Sequence, residues 1–119
     1  ALLALSHGVD AIVVSNHGAR NLDCAVGPTE VLPAIAAAVG GRMEILADSG
    51  VRRGADIARY LALGASGVLI GRATLYGVAI GGSAGAGRIL DLLSRELSVT
   101  MGMLGVRDLA GLRDAVSRP

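Results

Sequence analysis

Apolar positions along the chain change their period several times, and each change marks the border of a new element. Ala1-Leu2-Leu3-Ala4-Leu5 reads as the end of a helix, closed by His7-Gly8. Ala11-Ile12-Val13-Val14 is a short continuous apolar run with β-branched residues, the pattern of a parallel strand buried on both faces. Gly27-Pro28-Thr29-Glu30 marks a helix start, Val31, Leu32, Ile35 and Val39 form its inward stripe, and Gly40-Gly41 ends it. Pro33 is expected near the first turn of that helix. Met43 to Ala47 reads as a second strand, Ala55 to Leu63 as a helix ended by Gly64, and Gly67 to Ile70 as a third strand. From about Ser83 to Leu104, the residues Ile89, Leu90, Leu93, Leu97, Met101 and Leu104 keep helical spacing up to a stop at Gly105. The tail from Val106 to Pro119 reads as polar and surface-lying.

This alternation predicts an α/β fold, a parallel sheet covered by helices, and three strand-helix units alone do not choose between an open sheet and a closed barrel. The chain has 119 residues, enough for one small domain, yet a series that opens inside a helix and without Met reads as a portion of a larger unit. The 52% hydrophobic share comes mostly from Ala, Val, Leu and Ile, which suits a buried sheet. The first residues lack a charged leader and a cleavage pattern, and Ser6, His7 and Asp10 interrupt the apolar run, so neither a signal peptide nor a membrane span is expected. Formal net charge is +1 and the only aromatic residues are Tyr60 and Tyr76, a composition that argues against nucleic acid as a partner. The single Cys24 has no second thiol for a disulfide or a metal site, which points to a reducing, cytoplasmic setting and a buried or half-buried inert thiol. His7 reads as a helix cap without a catalytic role.

Candidate chemistry gathers where strands end. In Ser15-Asn16-His17-Gly18-Ala19-Arg20-Asn21-Leu22-Asp23 an imidazole and a guanidinium leave the first strand together. Arg20 can clamp a carboxylate through two parallel charge-assisted bonds, while His17, with an ordinary pKa of ~6.5, can take a proton from a neighbouring alcohol. Taken singly, such a His reads as a structural hydrogen-bonding residue and such an Arg as a solvated charge. Two downstream loops suit a phosphate: Asp48-Ser49-Gly50-Val51-Arg52, with a glycine for close backbone approach and a guanidinium fork, and Gly71-Arg72 at a helix start. Arg53, pointing away from its neighbour Arg52, reads as solvent-facing. Asp48 reads as an ion-pair partner or a site residue, Ser15 as a hydroxyl bonding its own loop or a cofactor contact, and Gly71 as a plain turn or a point of close approach.

The three motifs, S-N-H-G-A-R-N-L-D, D-S-G-V-R-R-G and I-G-R, closely resemble in order and spacing those of the FMN-dependent 2-hydroxy acid dehydrogenases and oxidases, whose usual first motif is S-N-H-G-G-R-Q-L-D. The resemblance covers nearly the whole chain. It implies that residues 1–119 are the C-terminal portion of one TIM-barrel domain, its last three strand-helix units, with the N-terminal part of the same protein as partner and a homo-oligomer as the assembly. It further implies His17 as base, His17 and Arg20 as substrate contacts, and Ser15, Asp48, Ser49, Gly50, Val51, Arg52, Gly71 and Arg72 around FMN. The substrate would be a small 2-hydroxy acid, and the wording around Leu22-Asp23-Cys24-Ala25 and Gly71 to Gly77 is nearer the mandelate branch than the glycolate branch. Three positions depart from the pattern: Ala19 and Ser49 stand in place of glycine, and Asn21 in place of Gln. If position 19 needs positive φ, Ala costs roughly 1 kcal/mol there relative to Gly. Two other readings remain, a non-catalytic phosphate-binding half-barrel and another phosphate-binding barrel enzyme such as an isomerase.

Overall fold

The computed structural model describes residues 1–116. Its elements follow one another as α1 (Leu2–Ser6), β1 (Ala11–Val14), a short 3-10 turn (His17–Ala19), α2 (Pro28–Val39), β2 (Glu44–Ala47), α3 (Gly54–Ala62), β3 (Gly67–Val68), α4 (Arg72–Met103) and α5 (Ala110–Val116). The three strands form one parallel sheet in the order β1-β2-β3, with Val14 paired to Ala47 and Ala47 to Val68. Because all three run the same way, the loops after Val14, Ala47 and Val68 emerge side by side at one end of the sheet.

Burial explains the pairing. Val14, Ile45 and Ala47 from the strands meet Leu32 and Val39 of α2 and Tyr60 of α3 in one core. The inward stripe expected for α2 is the one observed, and Gly40 closes that helix in the left-handed conformation at φ 59. Pro33, however, stands inside the helix and not in its first turn, which is led by Pro28. β3 is shorter than the expected Gly67 to Ile70. The Leu69 amide takes the Ala47 carbonyl, the last acceptor before the second strand ends, so the ladder stops there.

Three further differences concern the C-terminal half and Cys24. The covering helix expected from near Ser83 is joined to the helix start read at Gly71-Arg72 as one element, which breaks at Gly81 and Gly82, where φ is -148 and 56. The two arms fold back on each other so closely that a Cβ added to Gly77 would stand 2.6 Å from the Gly85 carbonyl oxygen. The tail is not merely polar surface: α5 inserts a fully buried Leu112 against Ala58 and Leu61 of α3, and Asp108 Oδ1 accepts the Gly111 amide at 2.8 Å to start the helix. Residues 117–119 of the expected tail lie outside the described residues. Cys24 is exposed, contrary to the expected buried thiol, because it sits in the loop between β1 and α2.

Helix α3 is seated on the sheet by side chains of its neighbours. Asp56 Oδ2 accepts the Arg52 and Arg53 amides at 3.0 and 2.9 Å, and Glu96 of α4 accepts the Gly54 amide at 2.7 Å. Gly54 lies directly beneath Glu96 and Leu97, with no room for a Cβ. The Gly54 and Asp56 amides at the start of α3 are therefore satisfied within the protein. Among the described residues, no helix is long and apolar enough to cross a membrane, and no cluster of His, Cys, Asp or Glu has the makings of a metal site.

Candidate active site

The loop after β1 forms a left-handed turn. His17, Gly18 and Ala19 have φ of 57, 69 and 59, so two non-glycine residues hold a conformation that costs roughly 1–2 kcal/mol each. Ala19 thus keeps the positive φ that would suit a glycine. Its support comes from side chains bonded to successive amides. Ser15 Oγ accepts the His17 amide at 3.0 Å, and Asn16 Oδ1 accepts those of Gly18 and Ala19 at 3.1 and 3.2 Å.

The loop after β2 grips the same turn from across the sheet. Ser49 Oγ accepts the Asn16 amide at 3.3 Å and the Gly18 amide at 3.0 Å, and donates to Asp48 Oδ1 at 2.7 Å. Ser49 has φ 77, so it too stands in glycine-like backbone. Beneath it, the buried Tyr60 hydroxyl lies 2.6 Å from both the Asp48 and the Ser49 carbonyl oxygens. Burial first, and then the charges of Asp48 and Asp56, hold the Tyr60 pKa above its ordinary 10.0, so the hydroxyl stays protonated as a donor at neutral pH. The loop after β3 closes the arrangement, since Arg72 Nη2 donates to the Gly18 carbonyl at 2.9 Å. Gly18 is where the three loops meet.

These loops line one cleft of about 650 Å³, within the range of ligand pockets. His17, Arg20, Asp48, Ser49, Gly50, Val51, Arg52, Gly71 and Arg72 all line it. Ser15 does not; its hydroxyl bonds its own loop at the His17 amide. The His17 ring and the guanidiniums of Arg20 and Arg52 make no side-chain bond to another described residue, and all three side chains are exposed toward solvent or ligand. Leu69, Ile70, Leu75 and Tyr76 give the cleft an apolar wall. At its far side begins α4, whose first amides have no partner within the helix. Guanidiniums and a helix start suit a phosphate, an apolar wall suits a planar ring, and together they can hold FMN. Arg20, Arg52 and Arg72 against Asp48 leave the cleft cationic, which favours an anionic substrate.

Two residues of this arrangement escaped the sequence reading. Asn16 carries a legible signal, an amide side chain just before a turn containing glycine. Tyr60 carries none, because its partners are backbone carbonyls brought near only by folding.

Comparison with known proteins agrees with this geometry. The chain is 51% identical over 116 residues to an L-lactate dehydrogenase of Caulobacter vibrioides, covering 98% of this chain and 30% of that protein. It is 50% identical over 109 residues to an L-lactate oxidase of Nostoc sp., covering 92% of this chain and 30% of that protein. A crystal structure of mandelate oxidase with benzoyl-formic acid superposes with TM-score 0.90 at 43% identity, covering 94% of this chain and 33% of that one. The chain thus spans about a third of the length of these relatives, and its sheet and helices are part of a TIM barrel. The family model described as FMN-dependent dehydrogenase matches residues 1–119, and the chain belongs to that family.

Proposed function

We propose that this chain forms the histidine and arginine side of the active site of an enzyme that oxidises a small 2-hydroxy acid to the 2-keto acid. The observation that carries this reading is the convergence of His17, Arg20, Arg52 and Arg72, from three successive strand-end loops, on one cleft. Arg20 takes the substrate carboxylate through its planar fork of donors. At the neighbouring carbinol a C–H and an O–H bond break and a C=O bond forms, so two electrons and two protons leave the substrate, and His17 accepts one of the protons. FMN, when bound, would supply the acceptor for the two electrons and for the other proton. Arg52, Arg72, the backbone at Ser49 to Val51 and the amides opening α4 hold its phosphate, with Asp48 and Gly71 lining the same cleft. The remaining strand-helix units of the barrel, in the longer protein and assembled as a homo-oligomer, close the rest of the cleft.

The substrate class lies between the two that relatives carry in their names. The L-lactate enzymes share 50–51% of residues and the mandelate oxidases 42–43%. Both L-lactate and mandelate therefore belong in the assay. The lone Cys24, without a partner thiol, fits a reducing cytoplasm.

The test is the visible spectrum of the full-length protein under anaerobic conditions. Bound flavin that bleaches on adding L-lactate or mandelate is the expected result. A protein that takes up no flavin after incubation with FMN would favour a scaffolding half-barrel, and bound flavin left oxidised by both acids would favour a different barrel chemistry.

A further inference from the structure

We propose that the Ser49 hydroxyl is a positioning residue for the catalytic turn, setting His17 in register with the cofactor loop; this rests on the function proposed above. A serine hydroxyl has one proton to give and two lone pairs to receive with. Here all three are used: Asp48 Oδ1 receives the proton, and the amides of Asn16 and Gly18, the two neighbours of His17, take the lone pairs. The group has no rotational freedom left, and no capacity left for a ligand.

The other two side chains that accept from this turn are local, and Arg72 reaches it from the third loop only as a donor to the Gly18 carbonyl. Ser15 and Asn16 lie on the same loop, so they fix its shape but not its place. Ser49 is 31 and 33 residues away in sequence, at the end of the adjacent strand, and it alone among the side chains accepting from this turn ties it to the loop bearing Asp48 and Arg52. Tyr60 anchors the same loop from beneath through the Asp48 and Ser49 carbonyls, so the hydroxyl hangs from a fixed support. The strain in the turn makes this bracing consequential, since His17 itself sits at φ 57 and relaxes toward ordinary backbone if its neighbours' amides are released. Ser49 accepts backbone strain of its own, at φ 77, where glycine would fit freely. A hydroxyl at that position is kept at a conformational cost, and the three bonds it makes are what it offers in return.

The experiment compares Ser49→Gly and Ser49→Ala in the full-length holoenzyme. Both delete the hydroxyl, but only glycine also relieves the backbone, so stability and positioning separate. Ser49→Gly is expected to melt above Ser49→Ala, since it alone relieves the backbone, and to retain its flavin. It should nevertheless slow flavin reduction at saturating substrate by up to about 10²-fold, the scale of a 1 Å misplacement of a reacting group. Ser49→Ala should lose the same factor while melting lower than Ser49→Gly. The loss should fall on kcat more than on KM, because Arg20 still holds the carboxylate. Ser49→Gly reducing its flavin at the parent rate would overturn the proposal, as would a rate that follows melting temperature across the two variants, which marks a structural role. Loss of flavin in place of loss of rate would also overturn it, making Ser49 a cofactor ligand. A parent protein that no 2-hydroxy acid reduces fails the functional reading itself, and this proposal with it, before any variant is made.

Discussion

Replacing His17 by Gln is expected to leave flavin and substrate bound while slowing flavin reduction by about 10²-fold or more, the usual loss with a general base. Arg20→Lys keeps the charge but not the planar two-point grip, so stopped-flow measurements should show weakened saturation as well as a slower limiting rate. An unchanged rate in His17→Gln would remove the base from the mechanism. Tyr60 supports a second prediction. Its folded pKa lies above the unfolded 10.0, so its contribution to stability is present below pH 10.0 and is lost as pH rises from there through the folded value. Thermal melts of the parent should therefore decline over that alkaline window. Tyr60→Phe should be less stable at neutral pH by about 0.5–1.5 kcal/mol for the lost hydrogen bond, and should lack this part of the decline. That His17 and Arg20 belong to a strand-end cleft was legible in sequence, because an imidazole and a guanidinium just after an apolar strand stand out, and both line the cleft. Ser49 reads in sequence as a residue around FMN but not as the acceptor for the turn, and Tyr60 does not stand out at all, since the backbone groups they bond are delivered to them only by the tertiary structure.

At the scale of elements, β1, β2 and the first helices could be read to within a residue or so because a continuous β-branched run marks a strand and one apolar stripe marks a helix. Ala11 and Val13 of β1 are nevertheless exposed among the described residues, and not buried on both faces as expected. Two features left weaker traces. The first arm of α4 reads in sequence only as a helix start at Gly71-Arg72, because Gly81 and Gly82 separate it from the apolar stripe that follows, while Gly77 and Gly85 permit the two arms to touch. In α5 one apolar residue does most of the packing, and Arg107, Asp108, Arg113 and Asp114 dominate the local composition. Leu112→Ala should consequently destabilise the protein by about 2–5 kcal/mol, as for a fully buried leucine, measurable by urea unfolding. An effect under about 0.5 kcal/mol, typical of surface positions, would return the tail to the surface.

For the molecule as a whole, the described residues leave much apolar surface uncovered: Ile80 is 89% exposed, Leu3 72% and Tyr76 65%. β1 and β3 each have one edge unpaired among the described residues. The 119-residue chain expressed alone should therefore bind a hydrophobic dye and self-associate on size exclusion, whereas a dye-silent monomer would show these faces to be self-sufficient. The strand-helix units of a barrel portion were legible in the sequence; which apolar faces stay uncovered was not, because exposure is set by how the elements pack. The meeting of three loops at Gly18 has a kinetic counterpart. Its amide is bonded 31 residues onward and its carbonyl 54 residues onward, so the first bond waits for β1 and β2 to come into register and the second for β3 as well. During refolding of the full-length protein, helical signal should return first and catalytic competence last, with flavin present throughout. Activity recovering in step with far-ultraviolet circular dichroism would show that the turn finds its shape without its distant neighbours.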